Sequence, residues 1–312
     1  MNPRTEFRTQ SDSPLFSVVI VSWNTAELIR RCIDSVFLRN PGESLEVVVV
    51  DNASSDGSAE QIAAAYPQVR LFVNTDNLGF ARACNQGIAA ARGEIVVLLN
   101  SDTEMQSERP LQRVREVLAA DKTIGMLGAR LDLPDGRVQS LGRRFLTVRE
   151  LIRTQILFLR PVPNPAAFNT ALLDVDYVDG AFLAFHRAII EQVGTLDESF
   201  FMYAEDMDWC MRAHQKGWRV VVVADIRILH RHAASSRQNF QPVLLHNVRN
   251  ISRFNTRYFG RRQGRFAYDV LLAGMLLRVP LSILRGKGLA RVYFSGFCSA
   301  LGSRRRFLGE RV

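Results

Sequence analysis

The sequence is short of cysteine and of long uncharged apolar runs, and each shortage argues against a class of protein. Its four cysteines lie far apart and include no Cys-x-x-Cys pair, so we expect buried thiols rather than a disulfide framework or a zinc knuckle. The longest apolar runs near the C-terminus, 270–277 and 279–284, are much shorter than the roughly 18 residues that a membrane-spanning helix needs. Residues 1–14 are polar and lack the apolar core of a signal peptide. These absences predict a cytoplasmic protein.

Acidic residues are scarce in the C-terminal quarter. The 312-residue chain carries 40 Lys and Arg against 31 Asp and Glu, a net charge of +9, but residues 240–312 alone carry +12 from fourteen basic and two acidic residues. A nucleic-acid-binding protein usually concentrates its positive charge on the recognition domain, so we expect no nucleic-acid partner. Basic residues interleaved with Leu, Phe, Tyr and Val instead match an anionic membrane surface. Helices packed on the rest of the protein, with a solvated basic face, are the alternative.

Short β-rich runs alternate with helical patterns from residue 16 to residue 102. The runs are FSVVIVSW, LEVVVVD, VRLFV and EIVVLLNSD, at 16–23, 45–51, 69–73 and 94–102. Strands that alternate with helices form parallel βαβ units, and uninterrupted apolar strands suit a sheet that is covered on both faces. The fold class is therefore α/β, with a Rossmann-like, mostly parallel sheet flanked by helices.

Polar side chains stand at the ends of three of these runs. They are Trp23 and Asn24, Asp51 and Asn52, and Ser101 and Asp102. Because ligands of open α/β sheets bind at the carboxyl ends of the strands, these residues predict a binding site at one edge. Neither a GxGxxG motif nor a Gly-rich basic loop follows the first strand, which argues against a dehydrogenase and against a sugar nucleotidyltransferase.

Farther along the chain the pattern is less regular. Residues 132–174 read as irregular, 203–217 as a helix that opens with acidic residues, and 218–223 as a strand followed by ADIRILHRHAASS. A tail helix from about residue 244 to 259 has apolar residues on one face and Arg249, Arg253 and Arg257 on another. That separation is typical of a helix lying in a membrane interface.

Seven sequence blocks occur in order between residues 16 and 240. They are VVIVSWN, VVVDNASSDGS, NLGFARACNQGI, LLNSDTE, VDGAFLAFHR, FFMYAEDMDWCMR and ILHRHAASS. In these blocks the chain resembles the family 2 glycosyltransferases. Within that family it is similar to the bacterial rhamnosyltransferase-type branch. The resemblance implies a GT-A domain at 16–240, after an N-terminal segment at 1–15 that we expect to be disordered and before a helical basic extension at 241–312.

The resemblance also implies how a nucleotide is held. Asp51 would hydrogen-bond a pyrimidine base, and Ser22, Trp23 and Asn24 would wall the nucleotide pocket. The ring of Trp23 would offer a stacking face, with core packing as the alternative for this side chain. Asp102 would complete the nucleotide site at the diphosphate.

A divalent cation, Mg²⁺ or Mn²⁺, is implied at the same place. Asp102 matches the last carboxylate of the family's DxD motif, which holds the cation on the diphosphate. This sequence has Asn100 and Ser101 where other members carry an Asp, so it offers one carboxylate rather than two. His230 matches the family's late metal-binding histidine, on the loop after a strand, and His232 is the second candidate.

The acidic cluster supplies the implied general base. Asp206 matches the family residue that accepts the proton of the attacking hydroxyl, and Glu205 is the alternative. Carboxylates in the first turn of a helix are also favoured by the helix dipole. Asp208, four residues before Arg212, fits that structural role.

Together these matches predict an inverting, metal-dependent glycosyltransferase, peripheral to the inner face of the cell membrane. The donor would be a dTDP- or UDP-linked sugar, rhamnose or a related deoxysugar, and the acceptor a cell-surface glycan precursor linked to polyprenyl diphosphate. A membrane-associated nucleotide-sugar-binding protein with a degenerate site is the non-enzyme alternative. The joint presence of Asp102, Asp206 and His230 argues against it.

Overall fold

The computed structural model describes residues 13–159, 172–231, 240–283 and 287–304. The strands are β1 (Phe16–Ser22), β2 (Leu45–Asp51), β3 (Arg70–Val73), β4 (Ile95–Asn100), β5 (Thr103–Met105), β6 (Ile124–Asp132), β7 (Val138–Ser140), β8 (Leu172–Asp174), β9 (Phe182–His186) and β10 (Arg219–His230). The helices are α1 (Ala26–Arg39), α2 (Ser58–Ala65), α3 (Phe80–Ala90), α4 (Pro110–Ala120), α5 (Val148–Leu151), α6 (Ile189–Val193), α7 (Glu205–Gln215), α8 (Phe240–Phe259), α9 (Arg261–Ile283) and α10 (Lys287–Gly302). A π-helical turn, Ile152–Ile156, continues α5. Most of the predicted N-terminal disordered segment, 1–12, lies outside the described residues.

The strands form one mixed sheet in the order β3-β2-β1-β4-β9-β6-β10-β5, with β7 beside β6 and β8 beside β10. As predicted, β3, β2, β1 and β4 are parallel neighbours. Strand β9 is antiparallel to both of its neighbours, and β5 is antiparallel to β10, so the sheet is less parallel than expected. The alternation of strands and helices is first interrupted between β4 and β5, and hydrophobic periodicity carries no information on the direction of a strand.

The core lies on both faces of the sheet. Alternate residues of β1 enter two separate apolar clusters: Phe16, Val18 and Ile20 pack on one face, and Val19 packs on the other. Burial on both faces is why the central strands are uninterrupted apolar runs. The cysteines follow the expectation in part: Cys32, Cys84 and Cys210 are buried free thiols, whereas Cys298 is exposed.

The register of the parallel strands brings the predicted polar ends together. Ser22 pairs with Asp51 across β1 and β2, and Val21 pairs with Asn100 across β1 and β4. The residues that follow these strands therefore meet at one edge of the sheet. This edge is the place that the sequence predicts for a ligand.

Strand β10 brings a histidine to the same region. It runs as one element past the predicted end at 223, with an irregular register between Val223 and Arg227. Its last residue, His230, pairs with Thr103 of β5. His230 is thus the final residue of a strand rather than part of a following loop, and it lies beside Asp102.

Helix α8 packs on the sheet domain instead of presenting a free amphipathic surface. Val248 and Phe254 are fully buried. The predicted basic face also binds protein: Arg253 donates to the carbonyl oxygen of Ser199 at 2.7 Å, and Arg257 pairs with Asp197 at 2.7 Å. These two arginines are therefore not directed to a lipid surface, which corrects the interfacial interpretation of this helix. The division of the chain at residue 240 stays a prediction.

Helix α9 is longer than the apolar runs in the sequence suggest. Arg278 and Pro280 lie within one continuous helix, which among the described helices is the one long and apolar enough to cross a membrane by length and composition. Of its most apolar stretch, 39% is buried inside the protein. The expectation that no segment reaches spanning length is therefore wrong as a statement about length. The same length and composition also suit a helix packed on one side.

Candidate active site

A cleft of about 370 Å³ opens at the carboxyl ends of β1 and β4. The predicted residues that line it are Trp23, Asp102, Glu205, Asp206 and His230. Ser22, Asn24 and Asp51 do not line it. A larger opening of about 780 Å³ lies at the other end of the sheet, beside Glu94 and His186, and holds none of the predicted site residues. The smaller cleft therefore unites the predicted catalytic groups.

A hydroxyl network fixes the turn between β1 and α1. Ser22 Oγ lies 3.0 Å from Thr25 Oγ1, and Thr25 donates to Ser101 Oγ at 2.9 Å. Ser22 is fully buried, so its role is to hold the turn from within. Trp23 is partly exposed and faces the cleft, which excludes core packing as its whole role.

The loop after β2 ties Asn24 to Asp51. Asn24 has a left-handed backbone, φ +52°; its N–H donates to Ser54 Oγ at 2.9 Å and its Oδ1 accepts from the N–H of Ser55 at 2.8 Å. Asp51 is fully buried, and its Oδ2 accepts from the N–H of Ser54 at 2.9 Å. Among the described residues, nothing donates to its Oδ1. A buried acceptor without a donor is costly, and since Asp51 does not line the cleft, a ligand N–H would reach its Oδ1 only if the groups that cover it moved.

Glycine in the NLGF block lets a loop approach the acidic cluster. Gly79 has φ +84°, and a Cβ there would collide with the carbonyl oxygen of Phe201. That oxygen accepts the N–H of Phe80 at 2.7 Å, which places the Phe80 ring in the cleft wall. The block therefore joins α3 to the segment that leads into α7.

Asp102 and His230 form a pair in the cleft. Asp102 Oδ1 lies 3.2 Å from His230 Nε2, and each side chain is about nine-tenths buried. On the other side of the ring, His230 Nδ1 lies 3.0 Å from Gln139 Oε1. An amide oxygen can only accept, so it selects the tautomer with hydrogen on Nδ1.

This arrangement fits a cation. With hydrogen on Nδ1, a neutral imidazole presents the Nε2 lone pair to a carboxylate oxygen. Two such acceptors repel one another unless a proton or a metal ion lies between them. Metal-binding histidines usually donate their other ring N–H to an acceptor, as His230 does to Gln139. Carboxylate oxygens suit Mg²⁺ and Mn²⁺, and an imidazole, which suits later transition metals better, would be an additional ligand.

The pair would supply only part of a coordination shell. Within the described ranges, no group of three or more His, Cys, Asp or Glu side chains converges as a metal centre. Mg²⁺ and similar ions often keep waters and substrate phosphates in their shell, so two protein ligands are compatible with such a site. Asn100 Oδ1 is a buried oxygen of the cleft without a described partner. His232, the second candidate ligand, lies outside the described residues.

Glu205 and Asp206 open α7 but differ in their surroundings. Asp206 accepts two backbone hydrogen bonds, from the N–H of Gly180 at 3.1 Å and of Met207 at 2.7 Å. Burial, followed by the negative charge of Asp179, raises its pKa to about 6. Glu205 is only 5% exposed, and its Oε2 has no described partner. Burial and then the charge of Asp206 raise the pKa of Glu205 well above its usual value.

A strained turn carries these two carboxylates. Tyr203 and Ala204 have φ values of +68° and +71°, a conformation that costs residues other than glycine about 1–3 kcal/mol each. Asn250 of α8 holds the turn: its Nδ2 donates to the carbonyl oxygens of Met202 at 2.8 Å and Tyr203 at 3.1 Å. The C-terminal helix thus supports the geometry of the acidic cluster.

Asp208 has the structural role that its spacing suggests. It is fully buried, and its Oδ2 accepts from Arg212 Nε at 2.9 Å. Its Oδ1 accepts from Arg257 at 2.7 Å and from the hydroxyl of Tyr258 at 2.8 Å. The predicted pair with Arg212 is confirmed, and the two contacts from α8 extend it.

The sequence analysis missed a salt bridge in the cleft wall. Arg143 Nε donates to Asp179 Oδ1 at 2.7 Å, and the charge of Asp179 raises the pKa of Arg143. Asp179 Oδ2 is buried without a described partner. Asp179 lies in the VDGAFLAFHR block, so its position was visible in the sequence. Arg143 lies in a stretch read as irregular, and no local pattern links it to residue 179.

One family model matches most of the sheet domain: the model described as Glycosyl transferase family 2 matches residues 17–194. A relative from Mycobacterium tuberculosis, N-acetylglucosaminyl-diphospho-decaprenol L-rhamnosyltransferase, is 28% identical over 238 residues, which are 70% of this chain and 76% of that protein. An uncharacterized protein, y4gI, from Sinorhizobium fredii is 28% identical over 230 residues. That match covers 72% of this chain but 25% of y4gI, so the chain spans only a quarter of this relative.

A solved structure has the same fold. The mannosyltransferase PcManGT from Pyrobaculum calidifontis, in complex with GDP-Man and Mn²⁺, superposes with a TM-score of 0.56 at 19% identity. The match covers 96% of this chain and 86% of that one. The predicted GT-A type α/β fold is confirmed.

Proposed function

The chain is a glycosyltransferase of family 2, and we propose that it moves rhamnose or a related deoxysugar from a dTDP- or UDP-linked donor to a lipid-linked glycan precursor. One observation carries the proposal: Asp206 and the Asp102–His230 pair line the same cleft at the carboxyl ends of the strands. A transferase of this kind needs a base for the acceptor and a group that holds the departing diphosphate. The cleft contains candidates for both.

Asp206 is the general base of the proposed reaction. Its carboxylate accepts the proton of an acceptor hydroxyl while the hydroxyl oxygen attacks the anomeric carbon. The new bond forms as the bond to the diphosphate breaks, so the configuration inverts. Glu205 is the weaker candidate because its raised pKa favours the neutral acid, which cannot take up a proton.

Asp102 and His230 would hold a divalent cation against the donor diphosphate. When bound, Mg²⁺ or Mn²⁺ supplies electrostatic stabilisation of the negative charge that develops on the leaving group. Gln139 fixes the tautomer of His230, and the backbone N–H of Arg231 donates to the carbonyl oxygen of Asp102 at 2.9 Å. These contacts orient both proposed ligands.

The nucleotide would lie across the ends of β1 and β2. The ring of Trp23, which lines the cleft, supports stacking, and Asp51 Oδ1, which has no donor among the described residues, would accept from a pyrimidine N–H once the groups that bury it move aside. Ser22 and Asn24 would act indirectly, through the turn that they hold. We infer the donor sugar and the diphospho-lipid acceptor from the named activity of the M. tuberculosis relative.

A thermal-shift screen of nucleotide sugars tests the donor proposal. A ligand that binds only the native state raises its stability as the ratio of ligand concentration to Kd grows. We expect dTDP-rhamnose with Mn²⁺ to raise Tm more than dTDP with Mn²⁺ or dTDP-rhamnose with EDTA. A screen in which purine nucleotide sugars stabilise best would contradict the pyrimidine donor.

The acid limb of the pH profile tests the base. Because the pKa of Asp206 is raised to about 6, kcat/KM should fall as the pH drops below that value and Asp206 becomes protonated. Asp179→Asn removes a neighbouring negative charge, which lowers the pKa of Asp206 and moves the limb to lower pH. Arg143→Gln removes a positive charge, which raises this pKa and moves the limb to higher pH.

The two substitutions break the same salt bridge, so each is a control for the other. General damage to the cleft would lower the rate of both variants without moving their limbs in opposite directions. Limbs that stay in place, or move together, would exclude Asp206 as the group that titrates.

The proposed cellular position is the inner face of the cell membrane, as a peripheral protein. A lipid-linked acceptor would be presented there, and the +12 charge of residues 240–312 would favour an anionic surface. Since Arg253 and Arg257 bind the sheet domain, contact with lipid must come from other residues.

A further inference from the structure

We propose that one apolar surface, formed by α9 and the segment that follows the π-helical turn, docks on an anionic lipid bilayer beside the mouth of the cleft. The docking surface consists of Leu157, Phe158 and Leu159 together with Phe266, Ala273, Leu277 and Leu281 of α9. The proposal rests on the proposed function, because it gives the enzyme access to an acceptor anchored in lipid.

The α9 part of the surface is a stripe along one side of the helix. Phe266, Ala273, Leu277 and Leu281 are separated by seven, four and four residues, a spacing that keeps them on one helical face. Phe266, Leu277 and Leu281 are 57%, 43% and 51% exposed. Isolated exposed apolar residues are common, but an apolar row of about four turns indicates an interaction surface.

The opposite side of α9 already has its packing partners. Ala267, Tyr268, Leu271 and Met275 are buried in a cluster with α8 and α10. The hydroxyl of Tyr268 donates to the carbonyl oxygen of Ala300 at 2.6 Å. The helix is thus held mainly by this face, and the stripe on its other side stays about half exposed.

The segment 157–159 extends the surface beyond α9. Leu157, Phe158 and Leu159 are 58%, 43% and 53% exposed. Arg278 of α9 lies over the ring of Phe158, with 5.0 Å from Cζ to the ring centroid. Close packing of the π-helical turn on α9 at Gly274, where a Cβ would lie 2.9 Å from Gln155 Cβ, makes the two parts continuous.

The net charge of the helices that carry and support this surface indicates which partner it binds. Helices α9 and α10 contain a single acidic residue, Asp269, which pairs with Arg304 at 3.0 Å. The basic residues with described side chains in α9, in α10 and just after α10 are Arg261, Arg262, Arg265, Arg278, Arg291 and Arg304. An apolar stripe with a strong excess of arginine matches the acyl boundary and the anionic headgroups of a bilayer better than it matches a protein partner.

The position of the surface relates it to the cleft. Arg143 and Leu146 line the cleft, and the chain continues from them through α5 and the π-helical turn to Leu157. Ile251 of α8 lines the cleft and belongs to the same cluster as the buried face of α9. The docking surface is thus linked to the cleft wall that carries Arg143 through α5 and the π-helical turn.

Vesicle co-sedimentation of the full chain tests the proposal. The probes are vesicles of phosphatidylcholine with phosphatidylglycerol and vesicles of phosphatidylcholine alone, at low and high salt. We expect binding to the anionic vesicles that weakens with salt. Leu157→Gln and Leu281→Gln should each lower the vesicle-bound fraction, and the double variant should reduce the partition coefficient by at least about tenfold, given the usual gain from burying leucine.

Leu38→Gln is the matched control, since Leu38 is 71% exposed in α1, outside the docking surface. It should bind vesicles as the wild type does, and all variants should share the wild-type Tm. The proposal is wrong if the Leu157→Gln/Leu281→Gln variant sediments with vesicles as much as the wild type does. It is also wrong if the wild type does not bind anionic vesicles. Protein that resists extraction by high salt and alkali would indicate that α9 spans the bilayer, and would overturn it too.

The proposed function can be tested independently of the docking surface. Donor binding by thermal shift needs no membrane and no acceptor. Normal donor binding without vesicle binding refutes the docking surface alone. If the protein binds vesicles but no nucleotide sugar raises its Tm, the proposed donor is refuted and the docking surface is not.

Discussion

Asp206→Asn should lower sugar transfer by about 10²–10⁴-fold and leave donor binding close to that of the wild type. The amide has nearly the same shape but cannot accept the proton of the attacking hydroxyl. It can keep one of the two backbone hydrogen bonds, from Gly180 or Met207, through its oxygen. Steady-state transfer rates with saturating donor, together with donor affinity by calorimetry, measure the two effects separately.

Glu205→Gln is the matched control for this substitution. Because the raised pKa of Glu205 favours the neutral acid, the isosteric amide should cause a much smaller loss of rate. If Asp206→Asn turns over at close to the wild-type rate and Glu205→Gln is inactive, then Glu205 is the general base.

Asp102→Ala and His230→Ala should both weaken donor binding that depends on Mn²⁺. Their facing atoms are 3.2 Å apart, and we assign both to the cation at the diphosphate. Gln139→Leu removes only the acceptor of the Nδ1 hydrogen, and loss of such an orienting contact typically costs about 10–100-fold in metal affinity. The two direct ligands should cost at least as much. Titration of the donor at several Mn²⁺ concentrations measures these losses.

An assay in the presence of EDTA, which removes divalent cations, can contradict the metal assignment. If the wild type transfers sugar at an unchanged rate in EDTA, no cation is required, and the ligand roles proposed for Asp102 and His230 are wrong. Loss of donor binding in Asp102→Ala and His230→Ala that Mn²⁺ does not influence would point to direct contacts with the nucleotide instead.

The sequence predicts the parallel half of the fold because its signals are local. Each of β1, β2 and β4 is a short apolar run, and its last residues are polar in the sequence itself. Parallel pairing then brings those ends to one edge, so Asp51 and Asp102 could be placed at the same edge of the sheet from the order of elements alone.

Other features depend on contacts between distant segments, which no local pattern encodes. The salt bridge between Arg143 and Asp179 joins an irregular stretch to the turn before β9. The helical pattern of α8 reveals an arginine face but not its partners, and the structure directs Arg253 and Arg257 to the sheet domain. The spacing of apolar and charged residues shows that a helix has two faces, and tertiary packing decides what covers each.

We propose that this cleft transfers a sugar from a nucleotide to a lipid-linked acceptor with inversion. The most direct test is a transfer assay with dTDP-β-L-rhamnose, Mn²⁺ and N-acetylglucosaminyl-diphospho-farnesol, read by mass spectrometry and by NMR of the anomeric carbon. We expect the acceptor to gain one α-linked deoxyhexose, and the Asp206→Asn variant to form this product at least about 100-fold more slowly. A β-linked product, or transfer by Asp206→Asn at a rate close to that of the wild type, would exclude this mechanism.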